Sequence, residues 1–325
     1  MKLQILVPQY KEDESVIRNL LDSIEIQQNV DLKKDVGVII TNDGSDVKLS
    51  DEFLSRYTYE IKYIQGEHRG VSATRNTCLD AATADYVMFC DADDMFFNAC
   101  GLYIIFREIQ AGGFDTLSSV FVEESRNPMT GEVLYLNREM DSTFVHGKVH
   151  RRRYLLDKHI RWNDSLTIHE DSYFNCLCQN LTNEVKYSQS PFYLWKWRDE
   201  SVCRHDDKYI LKTYNNMLDS NTALINEFLR RNMRDKAQFY ATSMIMDAYY
   251  TMNKDEWLNQ DNKDYRFNTE KRFKEYYLEF KNLFDTIDDG IKNQIIVGIR
   301  NRMFQEGMMM ESITFKDWIN HILEL

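Results

Sequence analysis

Residues 89–97 read Phe-Cys-Asp-Ala-Asp-Asp-Met-Phe-Phe, which sets Asp91, Asp93 and Asp94 among side chains that belong in a core. Unpaired buried carboxylates are very costly, so such a cluster calls for a compensating cation. With a single residue between them at a strand end, Asp91 and Asp93 bring two hard oxygen donors near one point. That arrangement suits Mg²⁺ or Mn²⁺, with water and phosphate filling the remaining positions. A calcium loop counted from Asp91 needs glycine at its sixth position and glutamate at its twelfth; Phe96 and Leu102 stand there, which excludes it. An aspartyl nucleophile of the phosphatase type is the competing chemistry, although it usually lies on the first strand of its domain.

Further groups could join this cluster. Asp43 follows Val-Gly-Val-Ile-Ile-Thr-Asn and precedes Gly44-Ser45, so it either closes an Asx turn or hydrogen-bonds a base or ribose. Arg69 and Arg75 flank a glycine and a helix start, where cations and free amides favour phosphate; a solvated arginine face is the alternative. His169-Glu170-Asp171 precedes an apolar helix, either as an acidic first turn or with a carboxylate serving as general base. Residues 192–205 interleave Trp195 and Trp197 with Arg198, Arg204 and His205, either to stack on rings and reach phosphate or as a packed aromatic strand. Lys148, His150 and Arg151-Arg152-Arg153 form either a basic patch for an anionic acceptor or an exposed helix start. Cys176-x-Cys178 lacks a second pair and reads as ordinary reduced thiols.

The elements that must position these groups follow from periodicity. Residues 3–8 and 36–42 are short apolar runs, 61–65 a third strand and 85–94, ending in the acid cluster, a fourth. Between them, Val16, Ile17, Leu20, Leu21 and Ile24 share one helical face, and residues 70–83 read as a second helix. Continuous rather than alternating apolar strands indicate an α/β sheet covered on both faces, where ligands sit beyond the carboxyl ends of the strands. Gln9-Tyr10, Asn42–Ser45 and Asp91–Asp94 all fall at such ends. From 114 to 205 the pattern is mixed, with Leu-Ser-Ser-Val-Phe-Val-Glu-Glu-Ser and Pro-Phe-Tyr-Leu-Trp-Lys-Trp-Arg strand-like and 151–159 and 170–181 helical. Beyond 206 there is helical spacing and no proline, with 253–270 the expected loop.

Taken in order, Ile-Leu-Val-Pro-Gln-Tyr-Lys-Glu-Asp-Glu, Ile-Thr-Asn-Asp-Gly-Ser-Asp, Arg-Gly-Val-Ser-Ala-Thr-Arg-Asn leading into Cys-Asp-Ala-Asp-Asp, then His-Gly-Lys-Val-His-Arg-Arg-Arg-Tyr-Leu, His-Glu-Asp and Tyr-Leu-Trp-Lys-Trp-Arg, the chain resembles the family 2 glycosyltransferases over residues 3 to about 205. Asn42 stands where that family often has aspartate, Lys11 where it often has asparagine, and Thr74 where it usually has alanine. The resemblance implies a GT-A, Rossmann-like nucleotide-diphospho-sugar transferase domain over 1–205 and an α-helical C-terminal region over 206–325 that positions the acceptor or forms an oligomer contact. It implies a metal-dependent, inverting, hexosyltransferase-type enzyme moving a single sugar from a nucleotide sugar, a UDP-sugar, to a hydroxyl of a glycan, a teichoic-acid-like polymer or another acceptor. Pro8, Tyr10, Glu12 and Asp43 would hold the nucleoside, and Asp91, Ala92 and Asp93 would face the nucleotide. Asp93 and His205 would bind Mn²⁺ or Mg²⁺, and Arg75, Arg198 and Arg204 would meet phosphate. Asp171 would be the base. The Gln-x-x-Arg-Trp signature of processive synthases does not follow His-Glu-Asp. An inert nucleotide-sugar-binding scaffold, or a phosphatase or nucleotidylyltransferase, is the alternative.

Composition narrows the partners. A net charge of −12 opposes a broad electrostatic grip on nucleic acid or anionic lipid. The N-terminal apolar stretch is too short for a signal peptide and no window spans a membrane, so a cytoplasmic protein, as a monomer or homo-oligomer, is expected.

Overall fold

Leu3–Gln9 (β1) and Val36–Asn42 (β2) are buried at nearly every position, as strands must be when helices cover both faces of their sheet. The computed structural model describes residues 1–127, 129–139, 141, 143–198, 209–259, 262–305 and 314–325. Two compact units divide the chain, Met1–Ser201 and Val202–Leu325. In the first, helices α1 (Glu14–Glu25) and α2 (Leu32–Asp35) connect β1 to β2. There follow α3 (Asp51–Leu54), β3 (Glu60–Gln65), α4 (Val71–Ala81), β4 (Tyr86–Phe89), β5 (Met95–Phe96) and α5 (Gly101–Ala111). The unit continues through β6 (Thr116–Ser119), β7 (Phe121–Arg126), β8 (Val133–Arg138), β9 (Lys148–Arg151), α6 (Arg152–Asp157), α7 (Glu170–Asn180), β10 (Val185–Ser188) and β11 (Tyr193–Trp195).

The large sheet has the order β10-β6-β9-β4-β1-β2-β3, and a second sheet has the order β5-β11-β7-β8. β1 runs parallel to β2 and β4, with Gln9 opposite Asn42 and Leu6 opposite Phe89, so the three polar strand ends leave the sheet along one edge. There the Asp43 amide donates to Gln9 O at 2.8 Å and the Cys90 amide to Leu6 O at 3.0 Å. On one face, Ile17, Leu20, Leu21 and Ile24 of α1 pack in one cluster with Leu3, Ile5, Val7, Val38 and Ile40. Each such side chain contributes about 2 kcal/mol by leaving water. Asp13 caps α1 by accepting from the Ser15 and Val16 amides. On the other face, Phe89 meets Trp162 and Phe174 edge-on at 5.1 and 5.5 Å between ring centres.

Three sequence expectations change. The run through residues 117–125 is two strands: Thr116–Ser119 pairs with β9 and β10, and Phe121–Arg126 pairs with β8 and β11. No glycine or proline marks the break at Val120, whose amide turns to Ser188 O at 2.9 Å. The basic cluster is interior, because β9 is a central strand: Lys148 is 1% exposed and His150 fully buried. Burial and the neighbouring Lys148 hold the His150 pKa down to about 3, so it is neutral. Arg151 and Arg152 donate to the carbonyls of Phe114 and Ala84, leaving Arg153 to pair with Asp157 at the surface.

The second unit is helical: α8 (Tyr209–Arg230), α9 (Arg234–Thr251), α10 (Asp255–Leu258), α11 (Lys263–Asp285), α12 (Asp289–Gln305) and α13 (Phe315–Glu324). The polar stretch 253–270 is a loop only in part. Trp257 is fully buried with its indole N–H on Glu270, and Asn262 caps α11 by accepting from the Tyr265 amide at 3.0 Å. Among the described residues of helix α12, only Met303 is buried. No helix among the described residues is long and apolar enough to cross a membrane.

Two backbone positions at the strand ends are testable. Gly44 has φ +73°, and a Cβ there would lie 2.3 Å from the His68 amide nitrogen. Gly44→Ala should cost about 2 kcal/mol or more, read as a lowered unfolding midpoint of the first unit. Lys11 adopts φ 71°, a left-handed conformation that asparagine tolerates better. Lys11→Asn should raise that midpoint by up to about 1 kcal/mol equivalent.

Candidate active site

Helix α4 begins where Asp43 holds it. The Asp43 carboxylate accepts from the Arg69 amide at 2.8 Å and from the Gly70 amide at 3.0 Å, and meets His68 Nδ1 at 2.9 Å. Gly70, at φ +89°, offers no side-chain cap of its own, so a carboxylate from the β2 end does that work. Asn42 is fully buried and donates to Ser45 O, Val47 O and Tyr63 Oη while its Oδ1 accepts from the Ser45 amide. An aspartate could not donate these bonds, which accounts for asparagine at this position.

At the start of the second turn of α4, Arg75 points into the site and is 3% exposed. Its guanidinium reaches Asp91 at 2.9 Å, Glu170 at 3.0 Å and Asp171 at 2.9 Å, and lies over the Trp162 ring at 4.4 Å. Burial alone would lower its pKa, but Asp171, Asp91 and Glu170 reverse that and hold it above the usual arginine value. Arginine suits the position because its planar fork presents several donors at fixed angles.

Asp171 and Glu170 open helix α7, favoured there by the helix dipole. They are delivered by His169 in a left-handed conformation with φ 63°, a strained geometry of the kind that clusters at functional sites. The remaining oxygen of Asp171 accepts from the Val145 amide at 3.0 Å. Burial pushes the Asp171 carboxyl up to about 7 against the pull of Arg75, with Glu170 and Asp91 adding to the rise.

At the β4 end, the three aspartates have different surroundings. Asp94 is 1% exposed and accepts from Tyr193 Oη at 2.5 Å and from the Lys196 amide at 2.9 Å. Burial, with Asp93 and Asp91 nearby, pushes its pKa well up. Tyr193 Oη also accepts from the Asp91 amide at 3.3 Å, so Asp94 ties the aspartate turn to the segment after β11. That segment brings Arg198 to Asp93 at 2.8 Å and to Glu12 at 3.8 Å. Glu12 accepts from the Tyr10 amide at 2.6 Å, and burial raises its pKa. Tyr10 is 42% exposed and stacks on His68 at 4.7 Å. Pro8 lies in β1, and Ala92 packs inward at 3% exposure.

Ligand atoms of Asp91, Asp94 and His146 lie within 4.8 Å of one another. Since Asp94 already accepts two internal hydrogen bonds, the oxygens turned toward the opening belong to Asp91 and Asp93, whose side chains are 30% and 28% exposed. Hard oxygen donors in a site whose acids outnumber Arg75 and Arg198 fit a divalent cation of the magnesium or manganese type. Pro8, Tyr10, Glu12, Asp43, Arg75, Asp91, Ala92, Asp93, Asp171 and Arg198 thus share one strand-end region, while Arg204 and His205 lie outside the described residues. Asp43 and Arg75 are engaged within the protein, on a helix start and on three acids. Tyr193 and His146 stand in motif runs without an assigned role, and the Val145 amide is unmarked, because nothing local to them signals a partner across the fold.

Residues 4–162 match the family model described as Glycosyl transferase family 2. "Glycosyltransferase GlyA" of Streptococcus pneumoniae is 30% identical over 228 residues, covering 62% of this chain and 32% of that protein. "Uncharacterized glycosyltransferase EpsJ" of Bacillus subtilis is 21% identical over 220 residues, covering 62% of each. The chain thus spans less than two thirds of the length of either. The "GalNAc(5)-diNAcBac-PP-undecaprenol beta-1,3-glucosyltransferase" of Campylobacter jejuni is 25% identical over 266 residues, covering 77% of this chain and 82% of that one. Among solved structures, S. aureus TarS in complex with UDP-GlcNAc shares the fold with a TM-score of 0.64 at 16% identity, over 96% of this chain and 93% of that one.

Replacing Arg75 by methionine would leave Asp91, Glu170 and Asp171 without their shared cation. Breaking a buried pair in this way typically costs about 3–5 kcal/mol. The deficit in denaturant unfolding should grow as pH rises through neutrality, since a carboxyl with a raised folded pKa favours the fold when protonated and loses that contribution on ionising.

Proposed function

Since the chain belongs to glycosyltransferase family 2 and has its GT-A fold, we propose that it is a metal-dependent inverting glycosyltransferase. It would move one sugar from a nucleotide sugar, a UDP-sugar, to an acceptor hydroxyl on a glycan or a teichoic-acid-like polymer. The observation that carries this reading is the single guanidinium of Arg75 bridging Asp91 at the strand end to Asp171 at the start of α7. A donor-facing acid and an acid raised to about 7 are thereby held in one rigid unit. The complexes of TarS with UDP and with UDP-GlcNAc support a uridine donor.

In this reading Tyr10 and Pro8 flank the nucleoside, and Asp91 and Asp93 would hold Mg²⁺ or Mn²⁺. The bound cation supplies Lewis-acid neutralisation of charge on the departing diphosphate. Arg198 exchanges Asp93 for a phosphate oxygen when the donor enters. Asp171, ionised, takes the proton of the acceptor hydroxyl as its oxygen attacks the anomeric carbon. The new C–O bond forms on the face opposite the one that breaks, so the anomeric configuration inverts and the nucleoside diphosphate leaves with the bonding electrons.

Incubation with UDP-N-acetylglucosamine, UDP-glucose and UDP-galactose in Mn²⁺ should release UDP from one of them, and EDTA should stop the release. Release of inorganic phosphate or pyrophosphate instead would indicate a phosphatase or nucleotidylyltransferase. Asp171→Asn should lower kcat by about 10²–10⁴-fold, and Asp93→Ala should remove the metal stimulation. The base must be ionised, so kcat/KM should fall about tenfold per pH unit below about 7, with the limb absent in Asp171→Asn.

A further inference from the structure

Lys148 is a buried cation for which the proposed chemistry has no use. It opens β9, opposite Ser118 of β6, and is 1% exposed. Its side chain faces α7: burial lowers its pKa, opposed by Asp141, Asp171, Cys178 and Cys176. Burying an ammonium group is costly unless its donors are used. Here Nζ donates to Phe144 O in a short contact and lies 3.4 Å from His146 O. These two carbonyls flank Val145, whose amide donates to Asp171.

The segment 143–147 has no regular structure, yet Val145, His146 and Gly147 are buried, so its peptide groups need partners from outside. It is tied at several points. Asp141 Oδ1 accepts from the Thr143 and Phe144 amides at 2.7 Å each. Asn175 Nδ2, on α7, donates to Thr143 O at 2.7 Å. Gly147, at φ +66°, passes Ser119 O so closely that a Cβ would lie 3.1 Å from it. Asp171, Asn175 and Cys178 recur on one face of α7, so the helix that supplies the carboxylate also supplies a tie to the segment that orients it.

We propose that Lys148 is a positioning residue for Asp171. By holding the carbonyls on either side of Val145, it aims that residue's amide at one carboxylate oxygen while Arg75 holds the other. The inference rests on the reading of Asp171 as base. The other groups facing this carboxylate are Glu170, on α7, and Asp91, after β4; neither can donate to it when ionised.

The test uses the full chain, UDP-N-acetylglucosamine or whichever UDP-sugar is turned over, Mn²⁺, and water as acceptor. Lys148→Met keeps the length of the side chain and removes the donor. It should bind UDP with unchanged Kd in calorimetry and keep the donor KM, while kcat falls about 10²-fold, as expected of a catalytic group released from its geometry. Added to Asp171→Asn it should cause no further loss, since groups acting as a unit are not additive. Wild-type kcat in Lys148→Met, a parallel loss of UDP binding, or a multiplicative loss in the double variant would each overturn the positioning role. If Lys148→Met does not fold, Asn175→Ala cuts the tie from α7 to this segment and carries the same expectations. A slow Asp171→Asn beside a full-rate Lys148→Met sinks the positioning role alone, whereas a full-rate Asp171→Asn sinks the base assignment and the positioning role with it.

Discussion

A guanidinium shut away from water among three carboxylates is the constraint on which the rest of the site depends. Arg75 costs desolvation energy that only its partners recover, and Asp91, Glu170 and Asp171 would repel one another without it. Because the fork is planar, its bonds to Asp91 and Asp171 also set the spacing between the strand end and α7. The placement of Arg75 depends in turn on Asp43, which fixes the start of α4 from the end of β2. A carboxylate that could have met a ligand instead anchors the helix carrying the central cation.

The second tie runs through Asp94. Its bonds to Tyr193 and to the Lys196 amide join the aspartate turn to the segment bearing Arg198. The small sheet is therefore part of the site, since β11 carries Tyr193 beside β5 and β7. Left-handed residues stand at both ends of this framework, Lys11 after β1 and His169 before α7. Such conformations persist where surrounding structure over-determines them, and here hydrogen bonds on either side do so.

Two of the residues that depart from the family pattern the sequence resembles, Asn42 and Thr74, have clear local partners. Asn42 spends its amide donors on two carbonyls and a tyrosine hydroxyl, a role closed to an ionised aspartate. Thr74 returns its hydroxyl to Gly70 O at 3.0 Å, one turn back in α4, and so satisfies itself without altering the helix. Both side chains thus find their partners at the β2 end and within α4.

Periodicity and turn chemistry in the chain determined β1, α1, β2, α4, β4 and α7, because each has a strong local pattern bounded by Asn-Asp-Gly-Ser, a glycine or an acidic first turn. The acids and arginines at the strand ends were legible for the same reason. What tertiary structure decided is partnership and burial. Lys148 and His150 read as a surface patch until β9 entered the middle of the sheet, and residues 117–125 read as one strand until two sheets claimed its halves. Arg75 and Glu170 stand 95 positions apart in sequence, and Asp94 and Tyr193 stand 99 apart, with no local mark of those bonds. Desolvation and hydrogen bonding act through space, so whether a carboxylate grips a helix start, an arginine or a tyrosine is settled only when the strands are in register.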